Sequence, residues 1–329
     1  MSMNNAVSSV TVVLNGETVV LESQDGLTWT KTCVAPDASS YNLTGGYYPL
    51  TVTATYETGT STTVSGTSDT TDANYDATLS PQCRLVVKET YRPTISIAQP
   101  ANASYFKTAA QPFELTIVDN ANGQTAGYSG VNPSTISVTI ASVKLSQSTT
   151  LSYSDLTTGN MITAITGGYK IEGSHTFDDS DDWTITVNAS DYDGNAAIAA
   201  TSTFTIDTEA PALSVSAPLD NLKTATATIA ISGTTSDTSA GAVVVSVTVD
   251  GVDFGTLSVG QGGAFSGTIT LPSVGEKTIV ITATDVAGNA TSVTKKVLYD
   301  SDAPVIRSVT MVPNPVDNGQ TYIITVVTE

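Results

Sequence analysis

Asp207-Thr208-Glu209-Ala210-Pro211 and Asp300-Ser301-Asp302-Ala303-Pro304 are two copies of one acidic joint closed by Ala-Pro. Each copy ends a β-rich run that has just passed a Gly-Asn turn, Gly194-Asn195 before the first and Gly288-Asn289 before the second. The two prolines stand about 90 residues apart, close to the length of one β-sandwich domain. Turn residues that recur at matching offsets over such a period mark tandem sandwiches joined end to end, and an elongated rod is the expected arrangement.

Composition leads to the same class. Hydrophobic residues make up 40% of the 329 and charged residues only 13%, and Thr, Ser, Val and Ala fill most of the rest. β-Branched Thr and Val suit pleated, half-buried strands and lose rotamer freedom in helices. No stretch keeps an apolar 3.6-residue period for three turns, so the chain reads as all-β, with room for two or three domains.

Working outward from the joints divides the chain into four pieces. In residues 1–92, Val7 to Leu14 alternates, Asn15-Gly16 supplies a hairpin turn and Thr18 to Leu21 returns. Trp29 lies in the alternating run Leu27 to Thr32, and strands are expected at Tyr48 to Tyr56, Thr60 to Val64 and Arg84 to Lys88; the piece reads as a divergent N-terminal β-sandwich. Residues 93–208 read as an immunoglobulin-like β-sandwich with two long connections, Asp119 to Pro133 and Ser146 to Gly167. Residues 209–301 offer seven short strands, the immunoglobulin-like count. Residues 302–329 hold two strands around Asn314-Pro315 and Asp317-Asn318-Gly319. A lone hairpin is marginal in water, so this piece is expected to dock, and a neighbouring protein is the preferred surface.

The net charge of −19, with only 12 Lys and Arg, argues against nucleic acid or an anionic membrane as partner, because phosphate recognition needs clustered cations. No segment approaches the roughly 18 to 20 apolar residues that span a bilayer. The start, Met1-Ser2-Met3-Asn4-Asn5, has neither the basic segment nor the apolar run of a signal peptide. Cys33 and Cys83 are read as a reduced, half-buried pair, with a disulfide as the alternative; Trp29 precedes Cys33, whereas the Trp of an antibody-type sandwich follows its first Cys.

Catalytic constellations are not legible. His175 is the single histidine, which rules out a multi-histidine metal site. There is no Gly-rich phosphate loop, no Cys-x-x-Cys and no nucleophile elbow. Lys107 and Glu114 raise a Lys–Asn isopeptide as a remote option.

The joints, together with Asp191-Tyr192-Asp193-Gly194-Asn195 and Asp285-Val286-Ala287-Gly288-Asn289, resemble the bacterial immunoglobulin-like repeats of large adhesins and phage tail proteins. The resemblance covers about Pro93 to Pro304. It implies that Asp-x-x-Gly-Asn is the turn between the last two strands, and that Ca²⁺ is held where domains meet. Val10 to Leu14, Trp29 and the tail Val312-Pro313-Asn314-Pro315-Val316 more loosely resemble small phage tail proteins.

In such a sandwich the last turn sits at the N-terminal end of its domain. Asp285 should therefore face Asp207 and Glu209. Asp181 and Asp182, in the turn before the second domain's penultimate strand, should reach the same junction. These five carboxylates are the candidate Ca²⁺ ligands. At the first junction Asp191 and Asp193 are expected to approach Arg92 and Glu89, with Arg92 replacing the metal through a surface ion pair worth roughly 0 to 1 kcal/mol.

The function expected from these readings is a non-enzymatic structural or host-surface-binding component of a phage tail-like particle. The alternatives are a fragment of a bacterial cell-surface adhesin, or polysaccharide-binding accessory domains of an enzyme. Expected partners are other virion or cell-surface proteins and a host surface glycan or protein, with the chain located in the virion or on the bacterial surface.

Overall fold

In a computed structural model, the residues described are 6–120, 127–142, 144–178, 181–238 and 241–329. The chain divides into two compact units, residues 1–104 with 109–206 and residues 105–108 with 207–329. The architecture is all-β, with one α-helix, of six residues, among the described residues. No helix among the described residues is long and apolar enough to cross a membrane.

The first unit opens with β1 (Val7–Leu14), β2 (Glu17–Val20), β3 (Tyr48–Tyr56), β4 (Ser61–Ser65) and β5 (Arg84–Leu85). They form a single sheet in the order β2-β1-β3-β4, with β5 paired to β3. Asn15 and Gly16, both at positive φ, make the turn that closes the register Leu14↔Glu17. The expected second layer is not a sheet. The run from Leu27 to Thr32 gives only the bridge Glu22↔Thr30, and Trp29 is half-buried there. The reason lies in the local sequence: Asp25 folds the chain back by accepting from the backbone of Leu27 and Thr28 at 2.9 and 2.7 Å. An Asx turn of this kind takes the amides that strand pairing would need.

Residues 94–206 carry β6 (Thr94–Gln99), β7 (Ser104–Phe106), β8 (Ala110–Val118), β9 (Val131–Ser142), β10 (Ser148–Ser152), α1 (Tyr153–Thr158), β11 (Ile162–Ile165), β12 (Gly168–Thr176), β13 (Asp181–Asp191) and β14 (Ala200–Ile206), all in the first unit except most of β7. Two sheets face each other, β11-β12-β8-β6 and β10-β9-β13-β14. The alternation works as read: Phe113, Leu115 and Ile117 of β8 point inward against Ile136, Val138 and Ile140 of β9 and Ile185 and Val187 of β13, all nearly sealed from solvent. The stretch Ser146 to Gly167, expected as a loop, instead holds β10, α1 and β11. Ser152 and Asp155 form a reciprocal capping box that starts α1, and Leu156 on its inner side is fully buried.

The second unit carries β15 (Ala212–Ala217), β16 (Leu222–Thr224), β17 (Thr228–Ser236), β18 (Val244–Val249), β19 (Val252–Leu257), β20 (Ala264–Thr270), β21 (Gly275–Thr284) and β22 (Ala290–Tyr299). Its sheets are β15-β17-β20 and β16-β22-β21-β18-β19. Ile229, Ile231, Val245, Val247, Phe265, Ile279 and Ile281 fill the space between them. The strand beyond the seven expected is β16, which runs parallel to β22 through Leu222↔Val297.

The last strands, β23 (Ile306–Val312) and β24 (Ile323–Thr328), pair only with each other. Val309↔Val326 and Met311↔Ile324 line up on one face, and these four side chains remain 45–55% exposed.

The two cysteines are free thiols, Cys33 exposed and Cys83 half-buried. Glu114, the isopeptide candidate, is held by Lys170 of β12 at 2.8 Å.

Candidate carboxylate sites at the joints

Two groups of three carboxylates each gather their oxygens within 4.8 Å of one another: Glu89, Asp119 and Asp191 in the first unit, and Asp207, Asp237 and Asp285 in the second. Both are built by the same local rules. The first member stands four residues before the joint proline, Glu89 before Pro93 and Asp207 before Pro211. The second is the first residue after the strand that pairs with the opening strand, Asp119 after β8 and Asp237 after β17. The third opens the Asp-x-x-Gly-Asn turn.

That turn is held in the same way twice. Asp191 accepts from Asn195 N at 2.7 Å and from Asn195 Nδ2 at 2.8 Å; Asp285 accepts from Asn289 N and Nδ2, both at 2.9 Å. Each Asn amide also donates to the backbone carbonyl of the joint, Asn195 to Glu89 O at 3.0 Å and Asn289 to Asp207 O at 2.7 Å. The turn Asn therefore ties the end of its domain to the linker that enters it. Removing this tie in Asn195→Ala leaves buried acceptors unmatched and is expected to cost about 1–3 kcal/mol, readable in urea melts against a surface Asn→Ala control.

In the first group Glu89, Asp119 and Asp191 are all buried. Glu89 accepts from Tyr91 N at 2.5 Å and Ser129 Oγ at 3.2 Å. Asp119 accepts from Gly130 N at 2.7 Å through one oxygen, while its Oδ1 is buried and meets no hydrogen-bond donor among the described residues. Burial, then Asp191 beside it, pushes the Glu89 carboxyl up to about 7. Asp119 is raised as well, first by burial and then by the charges of Asp191 and Asp193. Buried like charges that lack a counter-charge behave in this way.

The cation expected at this junction does not pair with these acids. Arg92 is exposed, and among the described residues it forms none of the ion pairs. Asp193 instead accepts from Glu89 N at 3.0 Å, and Lys88 reaches only the backbone carbonyl of Asp193, at 3.2 Å. The physical reason is packing. Asp191 closes its own turn and is sealed in with Glu89 and Asp119, out of reach of an exposed guanidinium.

Asp207 and Asp285 come together as expected, joined by Asp237. Glu209 lies outside the group: its amide donates to Asp207 Oδ1 at 3.2 Å and its carboxylate accepts from Thr238 Oγ1 at 3.1 Å. Asp181 and Asp182 belong to β13 rather than to a turn. Asp182 accepts from Thr205 Oγ1 at 2.6 Å on the neighbouring strand, and the side chain of Asp181 lies outside the described residues. Asp119 and Asp237 were missed, although each directly follows the strand that pairs with its opening strand; Glu89 meets Asp191 and Asp193 at the first junction as expected, but as a member of a carboxylate group and without Arg92.

The third joint repeats the local turn, with Asp302 N donating to Asp300 Oδ1 at 3.0 Å. Glu329 follows β24 as Asp119 follows β8, and it pairs with Arg307 at 2.9 Å.

Residues 211–301 match the family model described as glucodextranase, domain B. No curated protein matches the chain. Among solved structures, it is similar to the fibronectin(III)-like modules of Clostridium thermocellum CbhA at 15% identity, over 63% of this chain and 94% of that one, with a TM-score of 0.38. A tetra-tandem repeat from the extending region of a large adhesion protein is 18% identical over 98% of this chain and 80% of that one, TM-score 0.31. The three N-terminal domains of the bacteriophage RB49 outer capsid protein Hoc are 12% identical over 92% and 91%, TM-score 0.39.

Proposed function

We propose that the chain is a non-enzymatic structural or host-surface-binding component of a phage tail-like particle, made of immunoglobulin-like repeats whose joints are held by Ca²⁺. The observation that supports the cation is the buried Asp119 Oδ1, which among the described residues has no donor and stands beside Glu89 and Asp191. Three carboxylates with no compensating charge fit a hard cation that takes six to eight oxygens, and joint carbonyls and water complete such a set. Ca²⁺ there would neutralise the repulsion and fix the angle between the linker and the turn.

The test is a calorimetric melt of the whole chain in millimolar Ca²⁺ and in EDTA. Calcium is expected to raise the transition, with about 2.7 kcal/mol of stabilisation at a free concentration a hundred times Kd. Identical melts in the two buffers would remove the metal from the proposal. Mass spectrometry of purified particles tests the location. The match of residues 211–301 to a glucodextranase domain favours one second reading, accessory domains that hold a polysaccharide near an enzyme.

A further inference from the structure

The first unit has an open cleft of about 570 Å³ whose lining includes Tyr128, Tyr169, Tyr192, Asn42 and Asp119. Each of these three tyrosines is backed by another ring. Tyr41 stacks on Tyr192 with centroids 4.3 Å apart and planes 13° from parallel, Tyr91 leans on Tyr128 at 5.3 Å, and Tyr153 meets Tyr169 edge-on at 5.8 Å. Three tyrosines thus line the cleft, and three more stand against them. Of the lining rings Tyr192 is 38% exposed and Tyr128 and Tyr169 are half-buried, while Tyr41 and Tyr91 behind them are 44% and 61% exposed. Asn42 is held with its Nδ2 on Tyr128 O and Ser129 O, at 2.9 and 3.3 Å, which leaves its Oδ1 as a fixed acceptor.

We propose that this tyrosine-lined cleft binds a neutral oligosaccharide. The proposal rests on the surface-binding reading and names its ligand class. Rigid, amphipathic tyrosine rings offer faces for the C–H side of a pyranose and hydroxyls for its polar edge, at little cost in side-chain entropy. A cleft of this size lies in the range of small-ligand sites, with a few fixed polar groups among apolar walls. The chain's net charge of −19, which a bound Ca²⁺ changes little, repels uronates, sialic acids and phosphorylated glycans, which selects neutral sugars. A proline-rich peptide is the competing occupant of an aromatic groove.

The test uses the full chain in Ca²⁺ buffer on an array of neutral and anionic glycans, followed by titration calorimetry with the best neutral hit. Neutral glycans are expected to bind and anionic ones not. Tyr192→Ala is expected to weaken binding roughly tenfold or more and Tyr192→Phe to retain it, with both variants folded and the calcium shift retained. If Tyr192→Ala unfolds the chain, Tyr169→Ala and Asn42→Ala serve as the second variants. No binding to any neutral glycan, unchanged affinity in the folded alanine variants, or binding of a polyproline decamer in place of sugar would each overturn the proposal. An intact calcium shift without glycan binding counts against the cleft alone, and glycan binding without a calcium shift counts against the metal alone.

Discussion

Phe177→Ala is expected to cost the first unit about 3–5 kcal/mol. Phe177 is only 2% exposed. Its ring lies edge-on to Trp183 at 5.2 Å and Phe204 at 5.0 Å, with His175 at 4.6 Å on the rim. Truncation removes the shared partner of three rings and opens a cavity between β12, β13 and β14, which rigid sheets fill poorly. The backbone bond from Phe177 N to Ala109 O at 3.0 Å does not depend on the side chain, so the strands keep their register while the core loosens. Calorimetry should show the transition of the first unit falling by about 6–20 °C. A drop of only a degree or two would mean that the aromatic cluster is dispensable.

The second large effect is a dependence on pH that calcium abolishes. In the cation-free chain the carboxyl of Glu89 is pushed up to about 7 from 4.5 by burial and by Asp191, and Asp119 is raised in the same direction. A raised folded value means that the folded chain binds more protons than the unfolded one. The contribution is therefore complete below about 4.5 and is lost as pH climbs through 7. Asp193, on the amide of Glu89, adds no positive charge to offset this. His175 works the other way: burial lowers its imidazole from 6.5, so its contribution grows with pH and is complete by about 6.5. Carboxylates such as Asp25, held at about 2 by the backbone amides of Thr28 and Leu27, titrate well below the window. Between about pH 6.5 and 8 in EDTA, urea melts should therefore show stability falling. In millimolar Ca²⁺ the cation takes the place of the proton and the fall should vanish or reverse. A chain whose stability in EDTA climbs over that interval would contradict this account of the joint.

Much of the architecture can be read from residues that act locally. Alternation in Phe113 to Val118 and Thr228 to Ile231 places side chains on a buried face whatever their partners, and Asn15-Gly16 sets a hairpin through its own backbone preference. Local chemistry misled where two neighbouring rules competed. Asp25 turned an expected strand into a loop by capturing the amides of Leu27 and Thr28. Ser152 and Asp155 started a helix inside an expected connection. The extra strand β16 depends on parallel pairing with β22, some 75 residues away, and no local pattern announces such a partner.

The joints show the same division. The acidic joint and the Asp-x-x-Gly-Asn turn were found from sequence, because Asp and Asn in a turn satisfy their own backbone and so recur as short motifs. By itself the sequence determined the all-β class, the repeat and two of the three acids in the second unit's group. Only the tertiary structure decided that Asp119 and Asp237 complete the groups, that Arg92 stays in solvent, and that Tyr128, Tyr169 and Tyr192 line one cleft with three further rings against them. The reason is distance along the chain. Each of these depends on residues tens of positions apart being brought within a few ångströms, and burial rather than residue type then sets their charge and their partners.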